Sequence, residues 1–380
     1  MSRFILTCLI FLSLSVYSQG QLNTLKKRGE NVYISSMIDE YHEINYWFKK
    51  CMANDLYTFY RVSITSVSSG CNTIVNEAFS DNIGPFDIQD GGWCGGNHLF
   101  TDGKTKTAET FSIKLYADGN VILSDTILKT HTIRIEVENY IFNPLAAKIK
   151  KEDKVYFTDT LCIERAIYTI EGNSIQTALC HNYLNSIPVT VLKYYGMQSM
   201  FDGEKQLLTP SGEYKSWTDV NSINRFKKKD FPQFNRYIEK NDLYYQSSYL
   251  SNEGLGTHDE LLEKDVIFIG NSWSKCYHKL LGNVHRVAGD YDSWNGVYTW
   301  VSMPLLNTGS AFAYNGSFNG KKYIFFSNNI PGDFNIPIPK KIKNKKINIV
   351  ENTSNATIKK KNRTIHLFCP LPGSVIVSFE

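Results

Sequence analysis

A glycine-rich stretch, GGWCGGNH at residues 91–98, is the segment of this sequence most suited to forming a site. Glycine permits positive φ angles and close backbone approach, and four glycines in six positions cost chain entropy unless the loop needs a special shape. Trp93 offers a large apolar ring, and Asn97 and His98 offer an amide and an imidazole for hydrogen bonding. The alternative is a tight turn in which Trp93 is buried in the core and His98 donates a hydrogen bond to a backbone carbonyl.

Two later stretches, FPQFNRYIEKND and YYQSSYLSNEGLGTH, are rich in amides and tyrosines and supply Asn235, Arg236, Tyr245 and His258. A guanidinium pairs bidentately with a carboxylate, so Arg236 suits an anionic ligand, although a surface salt bridge is its alternative role. Farther along, CYHK places His278 inside a predicted strand. This histidine either lines a cleft or is satisfied within the core.

Several function classes lose support because their motifs are missing from the sequence. There is no P-loop, no dinucleotide-binding glycine fingerprint, no HExxH, no EF-hand loop and no GxSxG, and no two histidines are spaced i, i+4. We therefore expect no cofactor and no metal ion. The net charge of +4 is small for 380 residues, so the sequence predicts no nucleic-acid partner.

The N-terminus has the pattern of a secretory signal peptide. One early arginine is followed by the short apolar run FILTCLIFLSLSV and a small-residue exit, and we assign residues 1–19 to this signal. The apolar run is too short for an ordinary membrane-spanning helix, and polar sequence follows it. The mature chain is therefore predicted to be secreted or periplasmic, with no membrane span.

Seven cysteines remain after the predicted signal is removed, and they are dispersed along the chain without short CxxC spacings. An odd and scattered set argues against a disulfide scaffold and against a zinc site. Cys162 and Cys180 flank a predicted hairpin and are the one candidate disulfide. Burial as small apolar side chains is the alternative that we favour.

The elements that must position these residues are mainly strands. Segments rich in aromatic and β-branched residues recur about every ten to twelve residues with turn signals between them. In TIRIEVENYIF, Ile133, Ile135 and Val137 alternate with charged residues, which is typical of a strand with one buried face. Ala117-Asp118-Gly119-Asn120, Glu171-Gly172-Asn173 and Phe318-Asn319-Gly320-Lys321 are predicted hairpin turns.

The sequence thus predicts a mainly β protein built as a large antiparallel β-sandwich with few short helices. The helices are expected at residues 36–52, where Met37, Tyr41, Ile44 and Phe48 have helical spacing, and near residues 258–263. We assign residues 20–335 to the sandwich domain and residues 336–380 to a lysine-rich C-terminal tail with edge strands. Nine Lys or Arg lie between residues 340 and 363 against one acid, Glu351, which indicates a solvated segment or a patch for an acidic polymer.

The stretch YTIEGNSIQTALCHNYLNSIPVTVLKYYGMQ at residues 168–198 resembles the central hairpin of the galactose-mutarotase-like supersandwich. The matching positions are Asn185, Pro188, Val189, Tyr194, Tyr195, Gly196, Met197 and Gln198. The family's catalytic histidine has no counterpart here, since Tyr195 and Gln198 stand in that region. The resemblance implies a supersandwich fold and a polysaccharide or oligosaccharide partner, and it does not imply simple sugar epimerisation.

Within that resemblance, we predict a polysaccharide lyase that acts on a uronate-containing polymer by β-elimination. Asn97 or Arg236 would neutralise the substrate carboxylate, so that the proton on the adjacent carbon becomes acidic. Tyr195 or His98 would accept this proton, and His278 would protonate the leaving oxygen.

The remaining predicted substrate contacts are Trp93, Asn97, Gln198, Asn235, Tyr245 and His258. Two alternatives stay open. A glycoside hydrolase needs a carboxylate pair, for which Asp87, Asp90, Glu239, Asp242 and Glu253 are available. A non-catalytic glycan-binding protein would keep Trp93 and the tyrosines and would need no acid–base pair.

Overall fold

The structure is a computed structural model. It describes residues 22–77, 82–150, 152–202, 205–208, 214–216, 223–227, 233–239, 243–250, 265–269 and 273–380. Within these ranges the chain consists of antiparallel strands and two short 3₁₀ turns, Pro144–Ala146 and Lys340–Ile342. The predicted mainly β sandwich is confirmed.

The strands are numbered in chain order. The first eleven are β1 Asn23–Arg28, β2 Asn31–Met37, β3 His42–Cys51, β4 Leu56–Ser66, β5 Asn72–Glu77, β6 Pro85–Ile88, β7 Gly92–Gly95, β8 Ala108–Ala117, β9 Asn120–Val121, β10 Thr126–Thr130 and β11 Ile133–Phe142. The next eleven are β12 Ala147–Ile149, β13 Val155–Phe157, β14 Thr160–Glu171, β15 Ser174–Tyr183, β16 Val189–Asp202, β17 Lys205–Leu208, β18 Tyr214–Ser216, β19 Ile223–Lys227, β20 Gln233–Glu239, β21 Leu243–Tyr249 and β22 Asp265–Ile269. The last eleven are β23 Trp273–Leu281, β24 Val284–Arg286, β25 Tyr291–Val301, β26 Leu306–Asn307, β27 Ala311–Phe318, β28 Lys321–Asn328, β29 Gly332–Pro337, β30 Ile347–Asn352, β31 Thr357–Lys361, β32 Thr364–Cys369 and β33 Gly373–Phe379.

Three large sheets surround the main core. A ten-stranded sheet has the order β18-β17-β20-β21-β25-β15-β14-β11-β8-β9. A six-stranded sheet, β10-β1-β2-β3-β4-β5, and a seven-stranded sheet, β19-β22-β23-β16-β6-β7 with β24 beside β16, contribute to the same hydrophobic core as the ten-stranded sheet. Strand β5 packs alongside β16, so the six-stranded and seven-stranded sheets are neighbours.

The C-terminal strands form a second, smaller sandwich. A five-stranded sheet, β26-β27-β28-β33-β30, and a three-stranded sheet, β29-β32-β31, share a separate apolar core. A third apolar cluster joins the outer face of this five-stranded sheet to β21 and β25 of the ten-stranded sheet. The domain boundary predicted between residues 335 and 336 lies inside β29, and the predicted lysine-rich tail contributes the end of β29 and all of β30 to β33.

The predicted hairpins are confirmed. Residues 117–120 connect β8 to β9, with Asp118 and Gly119 at φ angles of 47° and 83°. Asn319 and Gly320 connect β27 to β28 with φ angles of 51° and 69°. Residues that tolerate the left-handed region therefore lie where the tight turns need them.

The predicted helix at residues 36–52 is wrong, because this segment forms the end of β2 and the whole of β3. Ile44, Tyr46 and Phe48 are buried, whereas Trp47 and Lys49 lie on the opposite face of the sheet. The apolar residues of this segment fit the helical spacing and also the alternating spacing of a strand. The aromatic side chains favour the strand once a neighbouring sheet covers one face of β3. The other predicted helix, near residue 258, lies outside the described residues.

The cysteines whose side chains the structure describes are free thiols; Cys162 is buried, as favoured above, whereas Cys180 is half-buried and Cys71 is exposed. Cys162 and Cys180 are not opposite each other, since Cys162 pairs in register with Tyr183 and Cys180 pairs with Arg165. Burial raises the pKa of the Cys94 thiol well above its usual range, so this thiol is a poor nucleophile. None of the helical turns in the described ranges has the length or apolar character of a membrane-spanning helix.

Candidate functional site

The glycine-rich stretch folds as a hairpin on the seven-stranded sheet. Strands β6 and β7 pair so that Asp87 lies opposite Trp93, and β6 pairs with β16 so that Lys193 lies opposite Asp87. Side chains directly opposite each other in an antiparallel pair share one face of the sheet. Trp93, Asp87 and Lys193 therefore form a row across three strands, and Tyr195 follows Lys193 on the same face of β16.

Three aromatic rings stack on this face of the sheet. The Trp93 indole is parallel to the His98 imidazole, with centroids 5.1 Å apart and planes at 19°, and to the Tyr195 ring at 5.9 Å and 20°. Lys193 Nζ lies 5.8 Å from the indole centroid and 3.2 Å from an Asp87 carboxylate oxygen. We call Asp87, Trp93, His98, Lys193 and Tyr195 the Trp93 cluster, and its three rings are half-buried.

The backbone of this loop is held from below by Asn54. Its amide nitrogen lies 2.9 Å from the Gly96 carbonyl oxygen and 3.0 Å from that of His98, and its carbonyl oxygen accepts from the Thr107 amide at 2.9 Å. Asn97 Oδ1 accepts a hydrogen bond from the backbone amide of Ala53 at 2.9 Å. The loop shape is thus fixed by buried hydrogen bonds, and part of the Asn97 side chain fastens the loop itself.

One glycine is required where the hairpin approaches β16. Gly84 has a φ angle of +93°, and a Cβ atom at this position would lie 1.9 Å from the Tyr195 carbonyl oxygen. Beside it, the Tyr194 hydroxyl donates to the Ile83 carbonyl at 2.7 Å. This close approach brings Trp93 and Tyr195 together, although about a hundred residues separate them in the sequence.

Three predicted site residues do not join the cluster. His278 pairs with Gly196 and is 2% exposed on the interior side, since a Cβ on Gly196 would contact Leu280 and Trp294. Gln198 is buried, and its backbone carbonyl accepts from the Tyr298 hydroxyl at 3.2 Å. Tyr245 is buried against the C-terminal sandwich, with its ring 4.7 Å from that of Phe312. His278 is inside because strand alternation turns Gly196 and its partner inward when Tyr195 turns outward, whereas Tyr245 lies on β21 of the ten-stranded sheet.

Two further predicted residues lie on another sheet, and one lies outside the described residues. Asn235 and Arg236 lie on β20, where they pair in register with Ser247 and Gln246 of β21. This strand belongs to the ten-stranded sheet, whereas the Trp93 cluster lies on the seven-stranded sheet. His258 lies outside the described residues.

Lys193 and Asp87 were not among the residues that we predicted to act in a lyase. Lys193 and Tyr195 are two residues apart on a strand, so they lie on one face, and this spacing was a usable signal. The cluster combines apolar ring surface, N–H and O–H groups, one ammonium and one carboxylate. It can pack against a flat ligand, read hydroxyl groups and balance a negative charge. Within the described residues, no three His, Cys, Asp or Glu side chains are grouped to hold a metal ion.

A second polar group, which the sequence analysis missed, is fully enclosed between the sheets. His181 Nε2 lies 3.1 Å from Glu164 Oε2 with neither side chain exposed, and Asn139 donates to Glu164 Oε1 at 3.0 Å. Nearby, Asp292 accepts from Tyr183 at 2.7 Å and from two nitrogens of Arg286 at 2.9 and 2.6 Å. Burial of the Glu164–His181 pair excludes direct contact with a polymer, so this pair is structural.

No family model matches the sequence, and no curated protein is significantly similar to it. Among solved structures, the chain is similar to the galactosidase domain of an α-galactosidase-sucrose kinase, with 8% identity and a TM-score of 0.41 over 71% of this chain and 40% of that one. It is similar to an α-mannosidase from Enterococcus faecalis, with 8% identity and a TM-score of 0.39 over 94% of this chain and 43% of that one.

A third similar structure is a galactose mutarotase-like protein from Lactobacillus casei, with 7% identity and a TM-score of 0.34 over 71% of this chain and 100% of that one. The resemblance inferred from residues 168–198 thus recurs among the solved structures. The chain spans about 40% of the galactosidase and mannosidase chains that it matches.

Proposed function

We propose that this protein binds an acidic polysaccharide at the Trp93 cluster. The observation that carries the proposal is the stack of His98, Trp93 and Tyr195 on the face of a sheet with an ammonium beside it. Sugars pack their C–H surfaces against aromatic rings, and imidazole N–H and phenol O–H groups read their hydroxyls. A rigid sheet beneath these side chains reduces the entropy lost on binding.

The charges of the cluster favour an acidic polymer over a neutral one. Lys193 is 43% exposed, and Lys279 lies in register with Tyr195 on the neighbouring strand β23. Asp87 is the one acid of the cluster, and it is already paired with Lys193. A ligand carboxylate would therefore meet the exposed Lys193 ammonium on this face, and opposite charges attract.

The first test replaces Trp93 by alanine. We expect the affinity for polygalacturonate or alginate, measured by isothermal titration, to fall at least about tenfold, because buried aromatic anchors carry a large share of binding energy. Trp93→Phe keeps an aromatic ring and should retain much of the affinity. Urea unfolding of each variant checks that the fold persists. Unchanged affinity in a folded Trp93→Ala variant contradicts the proposal.

β-Elimination is the second candidate function, and one observation favours it. Two groups that can transfer protons, the Tyr195 hydroxyl and the His98 imidazole, flank the same indole, and the Lys193 ammonium lies on the same face. Lys193 would take the charge-neutralising role assigned above to Asn97 or Arg236. Tyrosine has a reference pKa of about 10, so it could act as a base only if a neighbouring cation lowered that value. Hydrolysis needs two opposed carboxylates, and the cluster contains one.

The elimination hypothesis predicts a rise in ultraviolet absorbance during incubation with polygalacturonate, because the product carries a conjugated alkene. Tyr195→Phe should remove this signal while leaving polymer binding within about threefold, since the ring remains. Reducing ends that accumulate without the absorbance indicate hydrolysis. Binding without either signal shows that the protein holds the polymer without cleaving it, which contradicts elimination and leaves the binding proposal in place.

A further inference from the structure

The outer face of the six-stranded sheet carries a shallow trough that no function described above uses. Two rows of side chains cross β1 to β4 there, and they lie opposite the buried residues Ile34 and Tyr46. The first row is small and polar, and the second is aromatic and basic. Together they enclose a volume of about 310 Å³, which is at the lower end of the range for small-ligand sites. We call this surface the Tyr33 trough.

The aromatic row forms one wall of the trough. Tyr33 stacks on Trp47 with centroids 5.4 Å apart and planes at 22°, and Tyr60 meets Trp47 edge-on with centroids 5.3 Å apart. The Trp47 indole nitrogen donates to Asn31 Oδ1 at 3.3 Å, which fixes the ring. Lys49 Nζ lies 4.4 Å from the Trp47 centroid and 3.9 Å from that of Tyr60. The wall is thus preorganised, and the Tyr33 side chain within it is 38% exposed.

The floor is a row of three hydroxyls and one amide. Thr24, Ser35, Asn45 and Ser63 follow one another in register across four strands. The Asn45 side-chain nitrogen donates to Thr65 Oγ1 at 3.1 Å, so the amide has a fixed orientation. Groups that can both donate and accept therefore repeat across the sheet at the spacing of its strands, about 4.8 Å, beside an apolar wall.

The charge of the trough is positive. Lys26 lies in register with Tyr33 at one end of the aromatic row, and Arg61 lies in register with Trp47 at the other. None of the residues that line the trough is acidic. Arg61 is paired with Glu77 at 2.5 Å, outside the trough, whereas Lys26 stands beside the exposed tyrosine ring. A ligand that rests on Tyr33 would present its charged group to Lys26.

We propose that the Tyr33 trough is a second glycan-binding site, which holds acidic sugar units of the same class of polymer as the Trp93 cluster. The aromatic wall takes the C–H surface of a pyranose, the floor reads its hydroxyls, and Lys26 pairs with its carboxylate. The choice of a carboxylated polymer rests on the proposed function and on the charge of this face. The trough lies on a different sheet from the Trp93 cluster, so the two sites can be removed separately.

The test uses the full-length protein in affinity gel electrophoresis, with polygalacturonate as the acidic probe and galactomannan as the neutral probe. Tyr33→Ala and Trp47→Ala, each in the Trp93→Ala background, should weaken the remaining polygalacturonate retention at least about tenfold. Tyr33→Phe keeps the ring and should retain the greater part of the binding. Lys26→Gln should weaken retention by polygalacturonate and leave retention by galactomannan unchanged.

Two matched controls lie on the ten-stranded sheet. Phe111→Ala removes another exposed aromatic ring, and Lys114→Gln removes another exposed lysine; neither should change retention. The inference is overturned if the Trp93→Ala protein shows no residual retention, if folded Tyr33→Ala and Trp47→Ala proteins retain it in full, or if the controls lose as much. A Trp93 effect without a Tyr33 effect overturns only the second site, and a Tyr33 effect without a Trp93 effect overturns only the proposed function.

Discussion

Replacing Glu164 by leucine should lower the free energy of unfolding by about 3–5 kcal/mol, because the change leaves His181 buried without its carboxylate. The two side chains are wholly enclosed and lie 3.1 Å apart. Asn139 also donates to Glu164, so a second buried group loses its partner. Burying a polar group without a hydrogen bond is costly, and water cannot reach this position to replace the lost contact.

A double variant distinguishes the loss of the Glu164–His181 pair from the loss of packing. Replacing both residues, Glu164→Leu with His181→Leu, should recover a large part of the stability, since two apolar side chains leave no uncompensated charge. Urea unfolding of the two single variants and the double variant forms a double-mutant cycle. Glu109→Leu, at an exposed position of β8, is the control and should change stability by less than about 1 kcal/mol. Additive single and double effects would contradict the interpretation.

This buried pair shows what strand alternation in the sequence could reveal. Glu164 lies in phase with Cys162, Ala166 and Tyr168, which all face the core, and His181 lies in phase with Leu179 and Tyr183. Alternation therefore places both residues inside, and their pairing across one hairpin brings them together. The turn at residues 171–173 is evident from the sequence, but the buried positions of Glu164 and His181 follow only when the alternation is extended to the polar members of the hairpin.

The contacts that join distant parts of the chain at the site could be predicted only in part. The shape of the 91–98 loop depends on Asn54, which is distant in sequence, and on Thr107, and neither residue carries a local signal for these contacts. The stacking of Trp93 on Tyr195 depends on β6 pairing with β16, and the prediction that both residues serve one site did not identify this strand pairing. Local turn chemistry predicts hairpins, whereas the order of strands in a sheet depends on packing across the whole core.

The error at β3 has a related cause, and it concealed the Tyr33 trough. Once residues 36–52 were assigned to a helix, Trp47 and Tyr33 had no reason to meet. In the sheet they lie opposite each other on adjacent strands. A single residue of bulge at Tyr60 then brings a third ring beside them, because Trp47 pairs with Arg61 while Phe48 pairs with Phe59.

Replacing Asp292 by asparagine should destabilise the protein by about 3 kcal/mol near neutral pH, with an effect that disappears in acid. Burial alone would raise the pKa of Asp292, but hydrogen bonds from Arg286 and Tyr183 and the positive charges nearby outweigh it, so the pKa is lowered. A lowered pKa in the folded state means that the ionised carboxylate contributes stability above the unfolded pKa of about 3.9. This contribution is lost as the pH falls through the pKa of Asp292 in the folded state.

The difference in unfolding free energy between the native protein and Asp292→Asn should therefore stay constant from about pH 7 to about pH 5 and shrink below about pH 4. Urea unfolding across this range measures it. Asp125→Asn is the matched control, because its exposed carboxylate lies 3.8 Å from Lys27 and should contribute less than about 1 kcal/mol at any pH. If the difference in unfolding free energy stays the same in acid, Asp292 acts through its shape and its neutral hydrogen bonds. Attraction between its negative charge and Arg286 would then not be the cause.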